Sequence, residues 1–161
     1  MYTWVQEYIG IPFVSGGRDR RGLDCYGLIR LVLMEQYGCK LPLLDGKYDN
    51  ALNLYDTSPL FFQQLPILTE KIAGPQERAL ALLEMHQLPC HLGLFCGGES
   101  IIHSRAGVGV VVERLDSRRL PGRIAGWYRV SNSYRAAEPV QPGAPGMGVR
   151  EPEHSPDSRK N

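Results

Sequence analysis

Three side chains in this sequence have the types needed for nucleophilic catalysis by a thiol: Cys25, His91 and His103. Such catalysis needs a cysteine nucleophile, an adjacent base that takes the thiol proton, and a third polar group that orients the base. Asp24 is a good N-cap residue, so Cys25 is predicted in the first turn of a helix, where free N–H groups and the helix dipole favour the thiolate. The pattern therefore predicts an activated nucleophile at the exposed end of a helix. An ordinary core cysteine is the alternative, because free cysteines are often buried.

The two histidines lie in neighbouring strand-like segments joined by a glycine turn. Side chains alternate along a strand, so both histidines share a face if the residue numbers paired across the hairpin add to an even number. A three-residue loop, 97–99, meets this condition with a sum of 196. His103 then lies opposite Gly93, which leaves room for both rings, and His91 is its diagonal neighbour. A catalytic zinc ion held by these histidines and Cys25 is an open alternative.

The remaining cysteines are predicted to have no chemical role. Cys90 and Cys96 are separated by an even number of residues, so they are expected to share the strand face that points away from His91 and to pack there. The four cysteines show neither a C-x-x-C pair nor zinc-finger spacing. Reduced thiols are therefore expected.

The elements that position these groups follow from the periodicity of apolar residues. Helices are predicted over 2–9 and from Cys25 to a C-cap at Gly38, and weaker helical patterns lie near 59–65 and within 68–73. In the second half of the chain, short apolar runs between turn residues predict an antiparallel meander. The fold class is therefore α+β, with helices first and then a sheet of about five strands. The predicted strands are 79–85, 91–96, 100–105, 108–115 and 124–130.

Composition indicates one domain, 1–135, followed by a disordered tail, 136–161, that is rich in proline and glycine. The chain has 161 residues, 43% of them hydrophobic, and a formal net charge of +1. These values suit a single core and give no reason to expect nucleic acid or a membrane surface as a partner. No export signal and no membrane anchor is recognised, so synthesis in the cytoplasm is expected.

Two blocks of the sequence resemble the NlpC-type cysteine peptidases of bacterial cell walls and phage tails. The family's opening block is matched by YIGIPFVSGGRDRRGLDCYGLIRLVL, with its Gly-x-Pro-aromatic element, Gly-Gly pair and Asp-Cys-x-Gly-Leu. The family's histidine-Gly-apolar strand, glycine turn and second histidine are matched by HLGLFCGGESIIHS. The resemblance runs from about Tyr8 to Arg129.

The resemblance implies a papain-like fold and a role for each residue of the site. Cys25 is the nucleophile, His91 the general base and His103 the residue that orients it. The helix start at Asp24 and Cys25 supplies backbone N–H groups for an oxyanion. No metal and no organic cofactor is implied. Other residues in the matched motifs are candidates for substrate binding: Phe13, Gly16, Gly17, Arg18 and Tyr26.

The implied activity is hydrolysis of peptidoglycan stem peptides at the γ-D-glutamyl-diaminopimelate bond or a related bond. Tyr26 is bulkier than the serine common in wall enzymes and resembles phage tail-tip members. This implies a virion component that acts in the periplasm or at the cell wall, with other tail-tip proteins as partners. Phe13 stands where the family often has tyrosine. Two alternatives remain open: a structural or assembly subunit of a tail tip with weak or lost activity, and a cysteine acyltransferase or amidase on the same fold.

Overall fold

Two α-helices cover one face of a six-stranded antiparallel sheet in the computed structural model, which describes residues 1–134. The predicted domain boundary at residue 135 and the predicted tail, 136–161, lie outside the described residues. The α+β class is confirmed. The elements in chain order are a 3-10 helix Thr3–Glu7, β1 Arg18–Asp19, β2 Gly22–Leu23, α1 Cys25–Tyr37, α2 Leu54–Leu68, β3 Thr69–Ile72, β4 Ala79–Met85, β5 Leu88–Gly97, β6 Ser100–Arg105, β7 Gly109–Arg114, β8 Arg123–Val130 and a 3-10 turn Asn132–Tyr134.

The order of strands in the main sheet is β3-β8-β4-β5-β6-β7, and β1 and β2 form a separate short hairpin. The five predicted strands are present, although β5 begins at Leu88 rather than His91. The sixth strand, β3, occupies the region where a helix was predicted within 68–73. It pairs with β8, with Thr69 opposite Val130. This pairing joins distant parts of the chain, so local periodicity does not reveal it.

The first helical segments also differ from the prediction. The segment predicted as a helix over 2–9 is a 3-10 helix over Thr3–Glu7 that buries Trp4 and Val5. The helix predicted near 59–65 is longer, because α2 starts after an Asn53 cap and continues to Leu68. Pro59 and Pro66 lie inside this helix. No helix in the described range is long and apolar enough to cross a bilayer.

The nucleophile helix α1 agrees with the prediction at both ends. The Asp24 side chain accepts a hydrogen bond from the Gly27 backbone N–H, and Gly38 ends the helix in the left-handed conformation at φ 65°. The apolar stripe of α1 packs against the even-numbered side chains of the central strands. Members of this core from both sides are Leu28, Ile29, Val32, Leu33, Leu80, Leu82, Leu92, Leu94 and Ile102.

The hairpin of β5 and β6 has the predicted register but a different turn. Leu94 pairs with Ile102 and Phe95 with Ile101, which gives the expected sum of 196. The turn itself has two residues, Gly98 and Glu99, both at positive φ, as a tight hairpin turn requires. A bulge at Cys96 then shifts the pairing by one residue, so that the residue numbers paired further along the hairpin add to an even number. Both histidines therefore lie on the odd-numbered face, opposite the face that α1 covers.

Candidate active site

A buried carboxylate holds the start of α1 in place. Asp24 is 1% exposed. Its two oxygens accept hydrogen bonds from the backbone N–H groups of Gly27 at 2.8 Å and Gly16 at 2.9 Å, from Arg18 Nη1 at 2.9 Å, and from the Tyr48 hydroxyl. A buried carboxylate with this many donors is fully compensated. The first turn of α1, which carries Cys25, is thereby tied to two separate loops.

Cys25 is at the helix start, as predicted, but its exposed and ionised state is not confirmed. The residue is only 9% exposed. Burial, reinforced by the Asp24 carboxylate, raises the pKa of the Cys25 thiol to about 12, whereas the backbone N–H groups of Leu92 and Tyr26 lower it. Desolvation thus outweighs the helix terminus. The resting group is a neutral thiol.

His91 and His103 form a buried hydrogen-bonded pair. His91 Nε2 lies 2.9 Å from His103 Nδ1, and the ring planes meet at 81°. Burial, together with the neighbouring His103 and Arg105, lowers the pKa of His91 to about 3. Burial also lowers the pKa of His103, although the Glu113 carboxylate acts in the opposite direction. Both rings are therefore neutral at physiological pH, which a general base requires.

Cys25 and His91 line one open cleft of about 310 Å³. No hydrogen bond joins the thiol to the imidazole within the described part of the chain, which is common in substrate-free sites. Because His91 Nε2 is bonded to His103, only Nδ1 remains free to exchange a proton with Cys25. The other residues that line this cleft are Phe13, Ala51, Leu52, Leu54, Met85, Cys90, Ser104, Arg105, Ala106 and Pro121.

A bulge in β5 brings a second cysteine into the cleft, contrary to the prediction for Cys90. The pairing of β4 with β5 shifts between Leu83, opposite His91, and Glu84, opposite Pro89. Cys90 is the extra residue, so it leaves the alternation that would place it with Cys96. Its Sγ lies 3.2 Å from the Pro121 carbonyl oxygen.

The space at Gly93 serves a different neighbour from the one predicted. A Cβ atom at this position would lie 2.6 Å from Ile101 Cδ1, so the missing side chain makes room for Ile101 rather than for the histidine rings.

The candidate substrate-binding residues fall into three places. Phe13 lines the cleft. The loop that contains Gly16, Gly17 and Arg18 holds Asp24 in place through the contacts given above. Arg18 also donates to the Leu43 carbonyl at 3.0 Å and to the Tyr48 hydroxyl at 2.7 Å. With its side chain 13% exposed and these donors engaged, Arg18 is a structural residue of the helix start.

Tyr26 is buried and points away from the cleft. Its hydroxyl donates to the Pro42 carbonyl at 2.7 Å. It lines a second, apolar cavity of about 60 Å³ beneath α2, of which Cys25 also forms part of the wall. Since this cavity contains no histidine, the cleft with His91 is the candidate active site.

Sequence reasoning missed three residues around the site. Tyr48 lies in a loop with no periodic pattern and reaches Asp24 only through the fold. Glu113 and Arg105 lie on β7 and β6 behind His103, where they form a 2.7 Å ion pair. No local motif marks these residues. Within residues 1–134 no cluster of three His, Cys, Asp or Glu side chains is placed to hold a metal ion.

Comparison with solved structures supports the fold. An NLP/P60 family protein similar to a lipoprotein from Staphylococcus aureus Mu50 matches 78% of this chain and 38% of its own, at 22% identity and a TM-score of 0.55. An NlpC/P60 family protein from Bacillus cereus ATCC 10987 matches 82% of this chain and 38% of its own, at 20% identity and a TM-score of 0.53. The predicted NlpC-type fold is confirmed.

The sequence itself matches the model of the NlpC/P60 family over residues 10–125, and the chain belongs to this family. It is 22% identical over 116 residues to the Murein DD-endopeptidase MepS/Murein LD-carboxypeptidase of Escherichia coli K12, covering 68% of this chain and 50% of that protein. It is 21% identical over 112 residues to the probable endopeptidase NlpC homolog of Haemophilus influenzae, covering 70% and 51%. The chain thus spans about half the length of these curated relatives.

Proposed function

We propose that this protein is a cysteine endopeptidase that hydrolyses peptidoglycan stem peptides, at the γ-D-glutamyl-diaminopimelate bond or a related bond. The observation that carries the proposal is one cleft lined by Cys25 and by His91, with His91 hydrogen-bonded to His103. A nucleophile, a base and a group that orients the base are the parts that acyl transfer through a thiol requires. Membership of the NlpC/P60 family and the names of its relatives supply the substrate class.

The mechanism begins from a neutral pair, because burial raises the pKa of Cys25 and lowers that of His91. The thiol proton passes to His91 Nδ1 as Sγ forms a bond to the peptide carbonyl carbon, whose π electrons move to oxygen. Backbone N–H groups at the start of α1 stabilise this oxyanion. The C–N bond then breaks, and the proton on His91 goes to the leaving amine. Water then attacks the thioester carbonyl carbon and gives a proton to His91. The C–S bond breaks, the carboxylic acid product leaves, and the proton on His91 returns to sulfur to regenerate the thiol.

The test is digestion of purified sacculi and of synthetic stem peptides by the full chain, with products identified by mass spectrometry. Cys25→Ser should abolish cleavage and leave the melting temperature close to that of the wild type, because serine is a good residue at a helix start and the volume change is small. Cys39→Ser, the same change at the other end of α1, is the matched control and should retain activity. Wild-type turnover no higher than that of Cys25→Ser would contradict the proposal.

A second candidate function is a structural or assembly subunit that keeps the peptidase fold. The observation that favours it is the buried thiol, whose pKa of about 12 is far above that of an activated nucleophile. Absence of cleavage under all conditions, together with an intact fold, would support this candidate.

A phage tail-tip location is proposed from the likeness of the Cys25-Tyr26 pair to tail-tip members. Detection of the protein in purified virions by mass spectrometry tests it.

A further inference from the structure

The residue behind the histidine pair is Glu113 on β7. In the pairing of β6 with β7, His103 lies opposite Val111 and Ile101 lies opposite Glu113. Glu113 is therefore the diagonal neighbour of His103 on the same face of the sheet, within reach of its ring. The side chains of His103 and Glu113 are 0% and 9% exposed.

The two oxygens of the Glu113 carboxylate have different surroundings. Oε1 accepts a 2.7 Å hydrogen bond from Arg105 Nη1. Oε2 lies 3.5 Å from His103 Nε2, and neither of these two atoms has another hydrogen-bond partner among the residues that the structure describes. Buried polar atoms rarely remain unsatisfied, and 3.5 Å is slightly longer than a hydrogen bond. His103 Nε2 and Glu113 Oε2 are therefore the partners available to each other.

The bond between the two histidines permits two arrangements of protons. In the first, His91 Nε2–H donates to His103 Nδ1, so the proton of His103 is on Nε2 and faces Glu113, and Nδ1 of His91 is free to accept the thiol proton. In the second, His103 Nδ1–H donates to His91, so the proton of His91 is on Nδ1 and blocks the base. The second arrangement also sets a bare His103 Nε2 against a carboxylate oxygen, which is a repulsive contact between two acceptors.

We propose that Glu113 is a positioning residue that selects the first arrangement and so keeps His91 Nδ1 unprotonated towards Cys25. Arg105 Nη1 donates a hydrogen bond to the other carboxylate oxygen and so holds the Glu113 side chain in place. The charged or titratable groups of the described residues that face the histidine pair or its cleft are Cys25 from α1, Cys90 from β5, Arg105 from β6 and Glu113 from β7. When His91 accepts the thiol proton, Glu113 is the anion that compensates the new positive charge. The catalytic consequence rests on the proposed function, but the choice of tautomer does not.

The substitution Glu113→Gln makes a sharp test. Arg105 requires an acceptor, so the amide oxygen of the glutamine turns to Arg105 and the NH₂ group faces His103 Nε2. This donor selects the second arrangement and blocks His91. We expect kcat on stem peptide to fall by about 100-fold or more with little change in KM, as is seen when the orienting carboxylate of another catalytic triad becomes an amide. Glu99→Gln, which changes an exposed residue paired with Arg114, is the matched control and should leave kcat unchanged.

Long-range ¹H–¹⁵N spectra of the histidine side chains measure the tautomers directly, without any need for activity. At pH 7 the His103 ring of the wild type should carry its proton on Nε2. In the Glu113→Gln variant the same ring should carry its proton on Nδ1. The spectrum of His103→Gln, which lacks the His103 signals, identifies them. A wild-type His103 protonated on Nδ1, or an unchanged kcat in a folded Glu113→Gln protein, would overturn the proposal. If the wild type cleaves no stem peptide, the proposed function fails, and the tautomers still decide the role of Glu113. If Glu113→Gln does not fold, the wild-type tautomer gives the answer.

Discussion

His91 Nε2 and His103 Nδ1 are 2.9 Å apart, and the two ring centroids are 5.0 Å apart in an edge-to-face arrangement. Only one hydrogen can lie between the two nitrogens, so the protonation of one ring fixes the tautomer of the other. His103 therefore acts on Cys25 only through His91. A change at His103 should affect the rate of the chemical step more than it affects the binding of substrate.

Replacement of His103 tests this relationship. His103→Gln should keep partial activity, because the side-chain amide oxygen still accepts the His91 proton, whereas His103→Ala should lower kcat by about 10- to 100-fold more. Steady-state kinetics with a synthetic stem peptide measure kcat and KM separately. His86→Gln, in the exposed turn between β4 and β5, is the control. A His103→Ala protein with wild-type kcat would show that another group orients His91.

The thiol should titrate far above neutrality in the resting protein. Burial raises the pKa of Cys25 to about 12, so the rate of alkylation by iodoacetamide should keep rising as the pH increases from 6 to 9. Mass spectrometry of the Cys25 peptide measures this rate, and the urea-denatured protein supplies the unperturbed reference. A plateau below pH 7.5 would mean that the helix terminus dominates after all and that the thiolate is already formed.

Acid should destabilise the protein through His91. Its folded-state pKa is about 3, below the ordinary value of 6.5, so the unfolded state binds more protons between these two values. The free energy of unfolding should therefore be highest above pH 6.5 and fall as the pH approaches 3, by up to about 1.4 kcal/mol per pH unit for this group. Urea denaturation at several pH values gives the slope. His91→Gln should reduce the slope and His86→Gln should not; equal slopes in all three proteins would refute the assignment.

Asp24 should be required for stability as well as for the position of Cys25. Asp24→Asn leaves the partly buried Arg18 guanidinium with only the exposed Asp45 carboxylate, 3.8 Å away, as a counter-charge. Loss of one partner of a buried pair costs about 3 to 5 kcal/mol. Thermal and urea denaturation measure the loss. Asp19→Asn removes the carboxylate of an exposed pair with Arg21 and should change stability little. Similar effects of the two substitutions would show that the Asp24 cluster is solvated.

Gly27 should not tolerate alanine, even though alanine is the better helix former. A Cβ atom there would overlap the backbone carbonyl oxygen of Gly17, so the loop 15–17 would have to move away from the helix start. Gly27→Ala should lower the free energy of unfolding by about 1 to 3 kcal/mol and reduce activity. Gly74→Ala, at a glycine with open space around it, is the matched control. Equal stability of the two variants would mean that the loop yields freely.

Local signals in the sequence were sufficient for the nucleophile helix and for most of the sheet. Asp24 before Cys25 and Gly38 after Tyr37 are capping residues whose effect depends on the nearest turn alone, and both ends of α1 agree with the prediction. The short apolar runs between turn residues likewise located four strands to within one residue. The sequence also predicted the register that places His91 and His103 on one face. The turn is one residue shorter than predicted, but the bulge in β5 compensates, so the residue numbers paired across the hairpin still add to an even number.

Tertiary structure alone decided the properties that depend on distant parts of the chain. Strand β3 exists because β8 offers it a partner, and Cys90 reaches the cleft because a bulge breaks the alternation of β5. The ionisation of Cys25 is the clearest case: a helix start predicts a thiolate, but the residues that bury the thiol come from separate elements and reverse the direction of the pKa shift. Glu113 is ten residues from His103 in the chain and becomes its neighbour only through the pairing of β6 with β7. Desolvation and strand pairing both depend on residues that are distant in the chain, so a local sequence pattern does not predict them.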